Sequence, residues 1–169
     1  MKDIEKQLIV LAQYQVDFIV VGGVAATLYG SSQVTQDLDI CYSRDKANLE
    51  RLANALQSIN ARLRGVAEDV PFLLDAETLR RGLNFTFITD LGDLDLLGEV
   101  SGVGFHAEAL KNSVTYELFS HRYKILSLKK LIAAKRAAGR VKDLLVLPEL
   151  EALLEHQQAD EAPDDITNK

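Results

Sequence analysis

The chain has few of the residues that form covalent cross-links or membrane anchors. Cys41 is the only cysteine among the 169 residues, and tryptophan is absent. A lone cysteine excludes an internal disulfide framework and a zinc site built on thiolates, so we expect Cys41 to be a small buried hydrophobe. No apolar run approaches the roughly 18 residues that span a bilayer. Because the N-terminus begins charged and amphipathic, unlike a signal peptide, we expect a cytoplasmic protein with no membrane partner.

Acidic residues are missing from one long stretch of an acidic protein. The chain has 25 acidic and 19 basic residues, a formal net charge of −6, which argues against a general nucleic-acid coat protein. No acid occurs from Leu118 to Lys142, where the basic residues are Arg122, Lys124, Lys129, Lys130, Lys135, Arg136, Arg140 and Lys142. A basic segment of this kind can complete a polyphosphate site beside an acidic cluster. A solvated helix face is the alternative for most of these lysines.

The hydrophobic pattern predicts an α/β (α+β) fold of short strands and helices with a C-terminal helical segment. The predicted strands are 16–21, 36–42, 83–89 and 93–100, followed by a hairpin of 114–118 with 122–126. The predicted helices are 3–15, 24–29, one that Ser43 or Asp45 caps, 76–81, 128–138, and one from about 141 that Pro148 interrupts or restarts. The stretch 61–70 allows either a strand or a loop.

Two Asp-x-Asp motifs are the strongest candidates for chemistry. Asp37-Leu38-Asp39 lies in one predicted strand and Asp93-Leu94-Asp95 in another. Side chains alternate faces along a strand, so the two carboxylates of each motif project from one face. Divalent cations between such carboxylates can hold both oxygens of an in-line displacement at a triphosphate. The alternative is an exposed polar strand whose acids only keep it soluble.

Gly22-Gly23 ends an apolar strand and precedes a short helix. Without side chains, the backbone N–H groups can approach an anionic ligand, and the helix dipole favours negative charge there. A plain turn is the alternative for a lone glycine pair. A dinucleotide-binding fold is excluded, because it requires a third glycine and an acid about 20 residues later. Ser31 and Ser32 have no accompanying base, so phosphate hydrogen bonding or loop structure is favoured over a nucleophile.

Lys135 falls on the apolar stripe of a predicted helix. Leu128, Leu131 and Ile132 precede it at helical spacing, so its side chain should face inward. A buried ammonium needs an acid or a ligand phosphate, unless its long stem carries the charge out to solvent. Lys142 follows Gly139 and has a less fixed direction.

Together these motifs resemble the core signature of the nucleotidyltransferase superfamily, to which DNA polymerase beta belongs. The similar elements are the strand ending in Gly22-Gly23, a short helix, the run from Thr35 through Asp37 and Asp39 to Ile40, and a later strand with a further Asp. Within the superfamily the chain resembles the AbiEii-like branch of bacterial toxin and abortive-infection proteins, from about Val16 to Leu154. This span includes Lys135 to Asp143, which is similar to the lysine-rich helix of that branch.

The resemblance implies a role for each site residue. Asp37 and Asp39 would ligate two metal ions, Mg²⁺ or Mn²⁺, and Asp95 would ligate the catalytic metal and take the proton of the acceptor hydroxyl. Spacing alone leaves Asp93 as the alternative to Asp95, which we prefer because leucines flank it as in the family. The expected nucleotide-binding residues are Gly22, Gly23, Ser32, Thr35, Lys135 and Lys142. The branch often has Arg where this chain has Gln33, which predicts a reduced or altered nucleotide preference.

The implied activity is transfer of a nucleoside monophosphate from an NTP to an acceptor hydroxyl with release of pyrophosphate, in a toxin–antitoxin or phage-defence system. The candidate acceptors are RNA such as tRNA, a protein and a small molecule, and an antitoxin is a candidate partner. The alternative is a catalytically weak nucleotide-binding regulatory or antitoxin-like protein of the same fold. The resemblance also implies a core built on a small mixed β-sheet flanked by helices. The expected organisation is a nucleotidyltransferase core at 1–112, a hairpin and helices packed on it at 113–158, and a disordered tail at 159–169.

Overall fold

The computed structural model describes residues 3–162. Its helices, in chain order, are α1 (Ile4–Gln13), α2 (Gly22–Leu28), α3 (Lys46–Ser58), α4 (Ala76–Arg81), α5 (His106–Lys111), α6 (Leu128–Ala138) and α7 (Val141–Glu161). Its strands are β1 (Phe18–Val21), β2 (Asp37–Tyr42), β3 (Arg62–Leu63), β4 (Asn84–Thr89), β5 (Gly92–Leu97), β6 (Glu99–Val100), β7 (Gly104–Phe105), β8 (Ser113–Leu118) and β9 (His121–Leu126).

Seven strands form one mixed sheet in the order β3-β4-β5-β2-β1-β9-β8. Strand β2 lies at its centre, antiparallel to β1 and parallel to β5. Strand β9 is parallel to β1, and the other neighbours in this sheet are antiparallel. Strands β6 and β7 pair separately. The architecture confirms the predicted mixed sheet flanked by helices.

Both predicted hairpins are present. Strands β4 and β5 pair from Asn84 and Leu97 to Thr89 and Gly92. The β8–β9 hairpin turns through Phe119 and Ser120, whose φ angles are 50° and 62°. Positive φ at both central residues is what a two-residue type I′ turn requires. The stretch at 61–70 contains both predicted alternatives, because the two-residue strand β3 leads into a loop.

Helix boundaries follow local sequence signals at α4 and α6. Asp75 caps α4 by accepting a hydrogen bond from the N–H of Thr78 at 2.8 Å. Helix α6 ends at Gly139 with φ of 64°, the left-handed conformation that glycine adopts without a steric penalty. Helix α2 differs from the prediction, because it begins at Gly22 rather than Val24. The glycine pair is therefore the first turn of this helix.

Helix α7 is longer than predicted. Pro148 lies inside it and does not interrupt it. Proline removes the hydrogen bond to the carbonyl four residues earlier, here that of Leu144, which is 48% exposed and can be hydrated. Residues 159–161 of the predicted tail are helical, while 163–169 lie outside the described residues. Neither α7 nor any other helix within residues 3–162 is long and apolar enough to cross a membrane.

The hydrophobic core spans the predicted boundary between residues 112 and 113. Strand β9, beyond that boundary, pairs with β1, before it. Buried residues from both sides, such as Ile40 and Leu94 on one and Ile125 and Leu131 on the other, belong to one cluster. Cys41 is fully buried in the same cluster, as predicted.

Candidate active site

Four carboxylates meet on one face of the central sheet. The parallel pairing of β2 with β5 sets Asp37 opposite Asp93 and Asp39 opposite Asp95. The residues between them, including Leu38 and Leu94, are fully buried. Cross-strand partners share a face of a sheet, so the register joins two Asp-x-Asp motifs that lie more than fifty residues apart in the sequence.

A cleft of about 610 Å³ opens over these acids. Of the acids, Asp37, Asp39 and Asp95 line it, whereas Asp93 is not among the lining residues. The other predicted site residues that line it are Gly22, Gly23, Thr35, Lys135 and Lys142. Residues predicted to bind metal and residues predicted to bind nucleotide thus share one cavity, which the sheet, α2, α6 and the start of α7 enclose.

The glycine pair is required by close packing as well as by backbone conformation. Gly22 has a φ of +65°, and a Cβ added there would overlap the carboxylate of Asp39. A Cβ at Gly23 would lie 2.6 Å from the hydroxyl oxygen of Thr35. The N–H of Gly23 donates a hydrogen bond to the Asp39 carboxylate. One of the N–H groups predicted to bind an anionic ligand therefore binds Asp39 instead.

Asp39 is the most perturbed acid of the cluster. Burial raises its pKa to about 6, and the neighbouring charges of Asp95 and Asp37 act in the same direction. The charge of Lys135 and the hydrogen bond from Gly23 oppose the increase but do not cancel it. The positive charges that the protein places near Asp39 are thus too few to balance its ionised carboxylate, as expected of a residue that binds a cation.

Arg64 lies across the acid cluster, and the sequence did not identify it. One terminal nitrogen of its guanidinium is 3.3 Å from Asp93 Oδ2 and 3.9 Å from Asp37 Oδ2. The other donates to Asp95, at 2.7 Å from Oδ1 and 3.1 Å from Oδ2. The side chain is 30% exposed. A single monovalent cation therefore contacts three of the four acids.

The sequence contained only a weak signal for Arg64. Four acids on one face require a cation, but six arginines lie between the two acidic strands in sequence: Arg44, Arg51, Arg62, Arg64, Arg80 and Arg81. Only the pairing of β3 with β4, and of β4 with β5, brings position 64 close enough for its side chain to reach β5. The N–H of Arg64 itself extends this pairing by donating to the carbonyl of Thr86 at 2.9 Å.

Lys135 faces inward, as its helical position predicted, and its partner is an acid. Its side chain is 12% exposed, and its Nζ is 3.0 Å from Oδ1 of Asp143, whose side chain is fully buried. Arg140 binds the same carboxylate through Nε at 2.6 Å from Oδ2. Burial acts to raise the pKa of Asp143, but the hydrogen bonds from Arg140 and Lys135 outweigh it and lower the pKa. One carboxylate thus fixes two bases that line the cleft.

Ser32 differs from the other predicted nucleotide-binding residues. It is not among the cleft-lining residues, and its N–H donates to Oε1 of Glu149 at 2.8 Å. The hydroxyl of Ser31 donates to Oε2 of the same carboxylate at 2.8 Å. This loop is therefore tied to α7, and a phosphate contact from Ser32 stays a prediction without support from its position.

Gln33 presents an unsatisfied polar atom at the cleft. It is a lining residue, and its side-chain oxygen is buried with no hydrogen-bond partner within the described part of the chain. Leaving a buried acceptor unpaired costs free energy. A ligand or water that donates to Gln33 would remove this cost.

The acid-free basic segment is partly neutralised by acids of α7. Lys135 and Arg140 pair with Asp143, and Arg136 pairs with Glu151. Lys129 is exposed on α6, and Lys142 is exposed at the cleft. The segment is thus less available to an external polyanion than its sequence indicates.

The chemistry of the acid cluster fits a divalent cation. Carboxylate oxygens are the ligands that Mg²⁺ prefers, and Asp37, Asp39 and Asp95 would hold it. In residues 3–162, however, no group of three or more Asp, Glu, His or Cys side chains is already arranged to hold a metal ion. In this structure three of the acids contact the guanidinium of Arg64 instead.

Two solved structures with the same fold carry names from the nucleotidyltransferase class. One is TM1012 of Thermotoga maritima, for which that activity is proposed; it matches with a TM-score of 0.53 and 16% identity over 87% of this chain and 93% of that chain. Another is the lincosamide antibiotic adenylyltransferase LnuA, solved with lincomycin bound, at a TM-score of 0.57 and 11% identity over 90% and 99% of the two chains. No family model and no curated protein matches the sequence. At these identities the likeness establishes the nucleotidyltransferase fold.

Because the carboxylate of Asp39 is buried, we expect its ionisation to lower the free energy of unfolding of the metal-free protein. Its pKa is about 6 in the folded protein, above the ordinary value of 3.8. Protonation of Asp39 therefore stabilises the fold fully below pH 3.8, and this stabilisation is lost as the pH rises through about 6. In a chelator at pH 8, Asp39→Asn should raise the free energy of unfolding by on the order of 1 to 3 kcal/mol. Urea unfolding from pH 4 to pH 8 measures the difference, which should vanish at the acidic end.

Asp90→Asn is the matched control, because Asp90 is an exposed acid in the β4–β5 turn. It should track the wild type throughout. If Asp39→Asn also tracked the wild type at every pH, the carboxylate would not be strained by its surroundings.

The buried ion pair predicts a large stability loss when its acid is removed. Asp143→Ala should lower the free energy of unfolding by about 3 kcal/mol, because Lys135 is left buried without its carboxylate. Asp160→Ala is the control, since that side chain lies on the same helix and is 72% exposed; its effect should be within about 0.5 kcal/mol. Denaturant unfolding gives both values, and equal losses would contradict the assignment.

Proposed function

We propose that the protein is a metal-dependent nucleotidyltransferase, which moves a nucleoside monophosphate from an NTP to an acceptor hydroxyl and releases pyrophosphate. The observation that carries this proposal is the β2–β5 register, which brings Asp37, Asp39 and Asp95 to one cleft. Lys135, Arg140 and Lys142 line the same cleft and supply positive charge for a triphosphate. The nucleotidyltransferase fold of the chain supports the proposal.

The side chains divide the work between the triphosphate and the acceptor. Lys142 and Arg140 would bind phosphate oxygens, while Asp37 and Asp39 would hold Mg²⁺ or Mn²⁺. The bound metal would supply charge neutralisation of the triphosphate and of the transition state. The acceptor oxygen bonds to the α-phosphorus, the bond from that phosphorus to the α–β bridging oxygen breaks, and pyrophosphate leaves. Asp95 takes the hydroxyl proton; burial raises its pKa, which strengthens it as a base.

The size and charge of the cleft favour a small acceptor over RNA. A volume of about 610 Å³ lies in the range typical of small-molecule sites. The net charge of −6 opposes attraction of RNA, and acids of α7 neutralise part of the basic segment. Among proteins of this fold, LnuA is a lincosamide adenylyltransferase solved with lincomycin bound. A hydroxyl on a small molecule is therefore the first acceptor class to test, before protein and tRNA.

A nucleotide-binding regulatory protein is the second candidate, and Arg64 favours it. Its contacts with Asp37, Asp93 and Asp95 provide the acid cluster with a cation that belongs to the protein. A cleft kept in that state would bind nucleotide without turnover. The two candidates differ in whether labelled product forms when NTP and metal are both bound.

Membership of the AbiEii-like branch, and with it a place in a toxin–antitoxin or phage-defence system, stays a prediction from sequence resemblance. A cytoplasmic antitoxin partner belongs to the same prediction. Its test is co-purification with a protein encoded by a neighbouring gene.

The transferase proposal predicts labelled product that depends on Asp39. The protein is incubated with each α-labelled NTP, Mg²⁺ or Mn²⁺, and separated fractions of small metabolites, protein and RNA. Wild type should label one fraction and release pyrophosphate, and Asp39→Asn should reduce the rate by about 10²-fold or more, as loss of a charge-stabilising group does. Asp90→Asn should keep the wild-type rate. Metal-dependent NTP binding without product in any fraction would favour the regulatory protein instead.

We expect Lys142 to contribute to nucleotide binding independently of the ion pair between Lys135 and Asp143. Lys135 is unsuitable for this test, since replacing it would disturb Asp143. Lys142→Ala should raise the Kd for NTP about tenfold, because a hydrogen bond to a charged phosphate contributes at least about 1.5 kcal/mol. Lys129→Ala, exposed on α6 and not lining the cleft, should leave the Kd unchanged. Calorimetric titration measures both, and equal affinities would exclude Lys142 from the phosphate site.

A further inference from the structure

We propose that Arg64 is an internal competitor of the divalent cation, which holds the acid cluster in the resting protein and must leave it before metal binds. Its guanidinium contacts Asp37, Asp93 and Asp95 at 2.7–3.9 Å, and two of these acids are the proposed metal ligands. This inference rests on the proposed function and deepens it. According to this inference, competition by Arg64 sets the metal concentration at which the site fills.

The acid cluster needs a cation, and Arg64 is well shaped to supply it. Four carboxylates on neighbouring parallel strands repel one another, and cross-strand pairing prevents them from separating. A guanidinium is planar and carries five donors in a fixed fork, so it can contact several carboxylates at once. Lys135 and Arg140, the cations whose charges act on Asp39, are both tied to Asp143.

The contacts of Arg64 compete directly with metal coordination. Both oxygens of Asp95 accept hydrogen bonds from one of its nitrogens, and those oxygens would be the metal ligands. The guanidinium and a divalent cation would also repel each other at this separation. Occupation by Arg64 and occupation by metal are therefore mutually exclusive arrangements of the same carboxylates.

The side chain of Arg64 has a route out of the cluster. Its backbone is anchored by the bond to Thr86, so its departure leaves the sheet intact. Gly65, the next residue, has a φ of +78° and open space around its Cβ position. Leu63 and Gly65, on either side of Arg64 in the chain, line a second hollow of about 590 Å³. The side chain is already 30% exposed, so it can turn to solvent.

Manganese binding without nucleotide tests the proposal by a readout other than activity. Free Mn²⁺ is followed by electron paramagnetic resonance during titration of wild type, Arg64→Gln, Arg64→Lys and Arg62→Gln. Arg64→Gln should bind Mn²⁺ about tenfold more tightly than wild type, because hydrogen bonds to charged groups no longer have to be broken. Arg64→Lys keeps the charge without the fork and should be intermediate. Arg62→Gln is the matched control, since Arg62 is 61% exposed and pairs with Glu68; it should match wild type.

Thermal unfolding provides a second readout that does not require tight binding. In a chelator, Arg64→Gln should melt below wild type, because the acids lose their cation. Excess Mn²⁺ should close this gap, since metal then replaces the guanidinium. If Arg64→Gln does not fold in the chelator, the Mn²⁺ affinity of Arg64→Lys relative to wild type decides the question.

The outcomes separate this inference from the proposed function. Equal or weaker Mn²⁺ binding by both Arg64 variants would overturn the competition while leaving the metal site in place. If wild type and all variants failed to bind Mn²⁺, both the competition and the metal-dependent transferase would be overturned. Tighter binding by Arg64→Gln with unchanged Arg62→Gln supports both.

Discussion

Electrostatic repulsion among carboxylates held side by side is the constraint on which the rest of the site depends. Parallel pairing of β2 and β5 fixes Asp37, Asp39, Asp93 and Asp95 on one face, because Leu38 and Leu94 between them are packed into the core. The strands cannot slip by one residue without exposing that core and burying the acids. The protein therefore has to supply cations. Much of the cleft can be understood as the arrangement of those cations.

Two buried or half-buried ion-pair systems provide this compensation, and they differ in character. Asp143 fixes Lys135 and Arg140 at the junction of α6 and α7, so these bases have a set position before any ligand arrives. The Arg64 system lies on the acids of the central strands β2 and β5, which Arg64 reaches from the end of the edge strand β3, and it is partly exposed. The first system gives the cleft a stable basic wall. The second gives the acids a counter-ion that an incoming cation can replace.

Most of the fold could be predicted from the sequence, since its signals are local. Asp75 and Gly139 delimit helices through capping, and the hairpins follow from short strands separated by turn residues. One prediction failed for a reason that is also local: Pro148 removes one hydrogen bond whose carbonyl lies on an exposed turn, so α7 continues through it. Phosphate binding by Ser32 stays a prediction, and the contact of its N–H with Glu149, more than a hundred residues away in sequence, could not be read from local signals.

The sequence by itself determined which side chains share a strand face or a helix face. Asp37 with Asp39, Asp93 with Asp95, and Lys135 on its apolar stripe all follow from the fixed periods of strands and helices. Only the tertiary structure decided which of these faces meet. All three depend on contacts between separate elements: the register of β2 against β5, the reach of Arg64 to the acids of β5, and the pairing of Lys135 with Asp143. Such contacts are set by packing of the whole core, and periodicity within one element contains no information about them.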